Sequence, residues 1–235
     1  MSTTSVPTAL VTGGSRGLGL ALARTLAARG WSLVIDARAA PALEAVATEL
    51  SARTRVVALP GDVADPVHRA ALAAAVERSG RLDLLVNNAS VLGPSPQPLV
   101  ADYPLAELSR VYEVNVLAPV GLIQLLLPVL TRTGGRIVNV SSDASVEPYP
   151  GWGGYGSSKA ALDQVSAVLA AERPDLKVYR FDPGDMRTDL HQQAFPGEDI
   201  TDRPEPESVV PALLRLVDGN LPSGRYAASE LRVAA

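Results

Sequence analysis

The chain has 235 residues, 47% of them hydrophobic, and a formal net charge of −4. That is enough apolar material for one large α/β domain or two small ones, and the acidic balance argues against a nucleic-acid or anionic-membrane partner. With no cysteine and two distant histidines, His68 and His191, disulfides, cysteine nucleophiles and thiolate metal sites are excluded, and no metal site of any kind is expected.

In chain order the pattern alternates strand and helix. Met1 to Pro7 is short and polar, so no signal peptide is expected, and a cytoplasmic location fits. Thr8 to Thr12 reads as a buried strand, followed by a glycine-rich turn over Gly13 to Gly19 and a helix over Leu18 to Ala28 that stops at Gly30. Ser32 to Asp36 is a second strand, Pro41 to Leu50 a helix, and Arg55 to Leu59 a third strand. Asp65-Pro66 opens the next helix, with Asp65 and His68 read as ordinary helix-start residues. Leu82 to Val86 is a fourth strand and Leu105 to Leu130 one long helical region. Its apolar part from Val114 is interrupted by Asn115, Pro119, Gln124 and Pro128, which predicts that it falls short of a membrane span. Gly135 to Val140 is a fifth strand, Tyr155 to Ala171 a helix, Leu176 to Phe181 a sixth strand and Glu207 to Val217 a helix; Gly224 to Ala228 completes a seventh strand.

This alternation predicts an α/β fold: a single doubly wound Rossmann domain spanning 1–235, with a seven-stranded, mostly parallel sheet and helices on both faces. The segment 185–206 lacks periodicity and reads as a substrate lid.

Two sets of residues carry chemistry. Gly13, Gly17 and Gly19 lie between the first strand and its helix, where glycine lets the backbone approach a pyrophosphate and the helix N-terminus offers free N–H groups. Tyr155 and Lys159 are four apart on a predicted helix and share a face. A neighbouring ammonium lowers a phenol pKa, so the tyrosine is expected to be poised for proton transfer.

The motifs TGGSRGLG (Thr12–Gly19), Asp62-Val63, NNAS (Asn87–Ser90), Asn115, Ser142, YGSSK (Tyr155–Lys159) and Pro183-Gly184 with Thr188 come in one order, each behind its strand. In that order the chain resembles the classical short-chain dehydrogenase/reductase family over roughly Thr8 to Ala228. The resemblance implies Ser142, Tyr155, Lys159 and Asn115 as the catalytic set. Ser142 would bond the substrate oxygen, Lys159 would also hold the nicotinamide ribose, and Asn115 would hold a relay water. It implies cofactor contacts from Gly13, Ser15, Arg16, Gly17, Leu18, Gly19, Arg38, Asp62, Val63, Asn88, Ala89, Tyr155, Lys159, Pro183, Gly184, Met186 and Thr188. Two departures stand out: Ser90 replaces the family's usual glycine, and the C-terminus lacks a DGG-type ending.

Register against the family places Ala37 where NAD-selecting members carry an acid, and Arg38 where NADP-preferring members carry arginine. Arg16 adds a second cation, so NADP(H) is favoured, with NAD(H) as the alternative. Asp36 is then expected to point away from the ribose or to steady an arginine. The substrate is expected to be a small or mid-sized carbonyl or alcohol, met by Ser142, Tyr155, Tyr149, Trp152, His191 and Phe195. The expected function is an NADP(H)-dependent carbonyl reductase, against a non-catalytic NADP(H)-binding regulator. A homodimer or homotetramer is expected through Leu105–Leu130 and Tyr155–Ala171.

Overall fold

Side chains alternate across a strand, and the central strands place both sets in apolar surroundings. Ala9, Val11, Leu33, Ile35, Leu84, Val86, Tyr179 and Phe181 belong to a core on one face of the sheet. Leu10, Val34, Leu85, Ile137 and Val178, on alternate positions of the strands, belong to the core on the other. Strands buried on both faces are what a parallel sheet covered by crossover helices requires.

The computed structural model describes residues 6–231; residues 1–5, which bear on the signal-peptide expectation, and 232–235 lie outside them. The sheet comprises β1 (Thr8–Val11), β2 (Ser32–Ala37), β3 (Val56–Pro60), β4 (Leu84–Asn87), β5 (Arg136–Val140), β6 (Lys177–Asp182) and β7 (Gly224–Ala227). Its order is β3-β2-β1-β4-β5-β6-β7, and every pairing is parallel, β7 included. The helices are α1 (Gly17–Ala28), α2 (Ala40–Ser51), α3 (Pro66–Ser79), α4 (Leu105–Tyr112), α5 (Ala118–Thr133), α6 (Gly153–Glu172), α7 (Asp189–Ala194) and α8 (Val210–Asp218). α1 and α8 pack on the first core, and α3 and α5 on the second. The chain order reverses between β1 and β4. The crevice beyond their carboxyl ends is therefore where a ligand sits in such a sheet.

Four expectations change. The long helix is α4, one π turn over Glu113–Leu117 and α5; Asn115 lies in that turn, and π turns are frequent at functional sites. The run Leu105–Thr133 is also long and apolar enough to cross a membrane, contrary to the expectation, because its prolines and amides do not interrupt the helix. More than half of its apolar window is buried within the fold, with Leu122, Leu126, Val129 and Leu130 fully against the sheet. The lid segment is not wholly irregular. Thr188 caps α7, its Oγ1 accepting from His191 N at 3.2 Å. The last helix begins at Val210 rather than Glu207, behind a 3₁₀ turn at Pro206–Ser208.

Candidate active site

The turn after β1 is a backbone cradle. Gly13 and Gly17 adopt left-handed φ of 66° and 53°, which glycine takes without steric cost. A side chain on Gly19 would bring its Cβ to 2.4 Å from the Gly13 carbonyl oxygen. The cradle is tied to the β4 exit: Thr12 Oγ1 accepts from Asn88 N and Ala89 N, both at 3.0 Å. Asn88 Nδ2 donates to Thr12 O at 2.9 Å. No side chain caps α1 and no acidic residue occupies its first turn, so its N-terminal N–H groups remain for an anion.

Asp36 steadies no arginine, and His68 departs from its expected role. Asp36, 1% exposed, accepts from Gly13 N at 2.8 Å with Oδ1 and faces His68 Nε2 at 3.0 Å with Oδ2. It therefore steadies the glycine turn, not an arginine, and both oxygens are engaged away from a ribose. His68 is no ordinary helix-start residue. It is buried beneath Gly61, where a Cβ would lie 2.2 Å from its Nδ1. Asp65 does cap α3, accepting from Val67 N at 2.8 Å.

A single cleft of about 850 Å³ runs from this cradle to the first turns of α6. Gly13, Ser15, Arg16, Gly17, Leu18, Arg38, Asp62, Val63, Asn88, Ala89, Pro183, Gly184, Met186 and Thr188 all line it, as do Ser142, Tyr155 and Lys159. Gly19 and Asn115 stand behind that lining. Arg16 already holds the lid, through Asp189 at 2.6 Å. Arg38 makes no ion pair among the described residues. At Asp62, burial alone would raise the pKa, but the Ala64 N–H and the Arg110 guanidinium outweigh it and hold the carboxylate below its ordinary range.

Ser142 follows β5 and Tyr155 and Lys159 rise from the first turns of α6, so two adjacent elements bring the three together. Ser90 and Ser142 line the same cleft as Tyr155, and the Ser90 hydroxyl donates to Asn115 Oδ1 at 3.1 Å. Ser142 also caps the short turn after it, accepting from Ala144 N at 3.2 Å and donating to Asp143 at 3.0 Å. Lys159 is 2% exposed; its Nζ donates to Val140 O at 2.8 Å and lies 5.4 Å from the Tyr155 ring centre.

The expected lowering of the phenol pKa by Lys159 is not what the protein groups produce. Burial pushes Tyr155 well above the usual tyrosine value; the polar Ser90 and Ser142 hydroxyls oppose that rise and the Asp182 and Asp143 carboxylates add to it. Burial also pulls Lys159 down to about 8, against the attraction of Asp163. Two groups sharing one dry pocket are both driven toward neutrality. Sequence spacing reports their proximity and not their desolvation.

On the substrate side, Trp152 and His191 line the cleft. Tyr149 and Phe195 do not. They pack on Trp152 with ring centres at 6.2 and 5.9 Å, and Trp152 meets Tyr155 at 5.8 Å. Leu92 and Ala144 complete an apolar cluster around Tyr155.

The family described as short chain dehydrogenase matches residues 7–199. Benzil reductase ((S)-benzoin forming) of Saccharomyces cerevisiae is 33% identical over 214 residues, covering 87% of this chain and 79% of that protein. Sepiapterin reductase of Xenopus tropicalis is 33% identical over 195 residues, covering 77% and 75%. Among solved structures, an alcohol dehydrogenase of the archaeon Thermococcus sibiricus complexed with 5-hydroxy-NADP superposes with a TM-score of 0.86 at 27% identity, covering 98% of this chain and all of that one.

Proposed function

The chain belongs to the short chain dehydrogenase family, and from that premise we propose that this oxidoreductase is an NADP(H)-dependent reductase of small or mid-sized ketones and aldehydes. The observation that carries the reading is that Ser142, Tyr155 and a buried Lys159 line one cleft that begins at the glycine cradle.

The residues present fit a dinucleotide. The cradle has no room for side chains at Gly19, the α1 N-terminus is uncapped, and Asp36 is occupied by Gly13 and His68. Arg38 stands at the cleft where a 2′-phosphate would attract its guanidinium, and that favours NADP(H) over NAD(H). The NADP analogue bound by the archaeal relative supports the same choice.

When bound, the nicotinamide would supply or accept the hydride, and in its oxidised form would add positive charge beside the phenol. Ser142 holds the substrate oxygen. Tyr155 gives its proton to that oxygen in reduction and takes it back in oxidation. Lys159 holds the ribose and stabilises the phenolate. Trp152 offers an apolar wall to the rest of the substrate; benzil reductase, a relative named for an aromatic diketone, supports testing flat ketones first. We further propose that the chain assembles as a homodimer or homotetramer through the Leu105–Leu130 run and α6, where Leu117, Leu125, Val165 and Val168 are exposed.

The test is a panel of ketones, aldehydes and alcohols with both cofactors, in the wild type and in Arg38→Ala. Turnover that favours NADPH, with the preference reduced in the variant, is expected. Cofactor binding without turnover of any carbonyl would favour a regulatory protein, and an NADH preference would overturn the cofactor assignment.

A further inference from the structure

Arg225 lies on β7, at the edge of the sheet and beside the last residues of β6. Its neighbour Tyr226 packs toward the first core, so alternation along the strand sends Arg225 to the opposite face, toward α6. There its Nη2 donates to the Ser142 carbonyl oxygen at 3.0 Å and to Asp182 Oδ2 at 2.9 Å. Nη2 carries two hydrogens, one for each acceptor. Nε stands 3.4 Å from Asp163 Oδ2 as an ion pair. Asp163 and Asp182 are both buried, and a buried carboxylate needs a partner charge. Among the described residues no other side chain forms an ion pair with either. Arg180, the register partner of Arg225 on β6, makes none at all.

The guanidinium held in this way in turn holds the segment that carries Ser142. The bond from Ser141 N to Phe181 O at 2.7 Å is the last backbone bond between the exits of β5 and β6. The Ser142 carbonyl therefore has no strand to pair with. It accepts from Ser145 N at 3.0 Å in the turn that follows, and from Arg225. Ser145 Oγ donates to Asp163 Oδ2 at 2.9 Å, the oxygen that faces Arg225. The contacts close a ring that runs from Arg225 through Ser142, Ser145 and Asp163 back to Arg225. Asp182 Oδ1 meanwhile accepts from Gly184 N at 3.0 Å, in a turn that lines the cleft. One amino group thus joins the exits of two strands.

We propose that Arg225 is a positioning residue for the reaction: from outside the cleft it holds the Ser142 main chain, and through it the Ser142 hydroxyl, in register with Tyr155 and Lys159. The inference rests on the reading of Ser142, Tyr155 and Lys159 as the catalytic set. Arg225 does not line the cleft, so its effect reaches the substrate oxygen through Ser142. Lys159 grips the same strand end from α6, at Val140 O. The end of β5 is therefore fixed from two sides, two residues apart.

The experiment compares wild type, Arg225→Met and Arg225→Met/Asp182→Asn. It reads carbonyl reduction at saturating NADPH, the NADPH dissociation constant, the unfolding midpoint in urea, and amide hydrogen exchange across 141–149. In Arg225→Met, kcat should fall by about 10- to 100-fold, the scale of a small misplacement of a reacting group. Exchange across 141–149 should quicken about tenfold, as for one lost hydrogen bond to a charged group. The unfolding midpoint should drop, since two carboxylates are stranded. NADPH affinity should stay near wild type, because Gly184 N keeps its bond to Asp182. The double variant should regain part of the stability, because the amide carries no charge and its oxygen still accepts from Gly184 N. Its kcat and exchange should stay as in the single variant, because the Ser142 carbonyl still lacks its donor. A wild-type kcat in Arg225→Met overturns the proposal. So does a double variant whose kcat returns together with its stability, since that reports a role in folding alone. A wild type inert toward every carbonyl would instead refute the reading of the catalytic set. Hydrogen exchange then decides for Arg225 by itself: faster exchange across 141–149 in Arg225→Met upholds the proposal, and unchanged exchange overturns it.

Discussion

The floor of the cleft and its lid are held by different physics. Under the floor, Thr12, Asp36, Asn88, Asn115 and Lys159 are tied by hydrogen bonds that are buried or nearly so. Over it, the polar links of the lid segment are ion pairs in water. Arg16–Asp189 has both side chains more than 60% exposed, and Arg187–Glu205 and Arg203–Asp202 are also solvated. Buried polar bonds are costly to break because the abandoned partner has no water to turn to. Exposed pairs contribute little net free energy and weaken with salt. The floor is thus a preformed template for cofactor and proton transfer, whereas the lid's ion pairs can break at little cost, its apolar contacts being those of Leu190, Ala194 and Phe195 with the cluster around Trp152 and Tyr155.

This contrast can be broken or sharpened at four points. The largest effect is expected at the reacting group. Tyr155→Phe should reduce turnover by about 10²–10⁴-fold while NADPH affinity stays near wild type, as read by steady-state kinetics and fluorescence titration. Near-normal turnover would remove Tyr155 from the mechanism.

Next comes the buried carboxylate. Asp36→Ala strands both the Gly13 N–H and His68, and should cost about 2–4 kcal/mol of unfolding free energy. Asp36→Asn keeps an oxygen for Gly13, and His68 can present a neutral acceptor nitrogen to the new amide. It should retain most of the stability. Denaturant unfolding that finds the two variants equal would show that the pair does not anchor the cradle.

The third point is pH. Because burial holds Lys159 down to about 8, its ammonium is lost as pH rises through about 8 rather than through the usual lysine range. NADPH affinity should therefore be greatest below that value and decline above it, and Lys159→Met should flatten the change. A wild-type affinity that stays level from pH 7 to about 10 would mean that the bound state restores the full charge.

The smallest effect is expected in the lid. Asp189→Asn releases Arg16 from its exposed pair and should change stability by less than about 1 kcal/mol, with NADPH binding tighter by a few-fold at low salt. A loss as large as that of Asp36→Ala would erase the distinction between floor and lid.

How much was legible varied with the range of the interaction. The seven strands, the order of motifs and the approach of Tyr155 to Lys159 follow from periodicity and local spacing, and the cradle glycines from the strand-turn-helix pattern around them. Ser90 was visible as a departure from a motif, yet its hydrogen bond was not, since its partner Asn115 is distant in sequence. His68 had no signal beyond its place near a helix start, and only the approach of α3 to β2 puts it on Asp36. Tyr149 and Phe195 looked like substrate contacts by position but serve to back Trp152.

By itself, then, the sequence determined what repeats along the chain: strands with apolar residues on both faces, helices between them, and reactive side chains four apart on one helical face, because these depend on fixed geometries of the backbone. The tertiary structure alone decided which polar groups lose water. It placed Asp36 and His68 together and joined Asn115 to Ser90. It also drove Tyr155 up and Lys159 down, because desolvation and hydrogen-bond pairing depend on what every distant segment packs against a site.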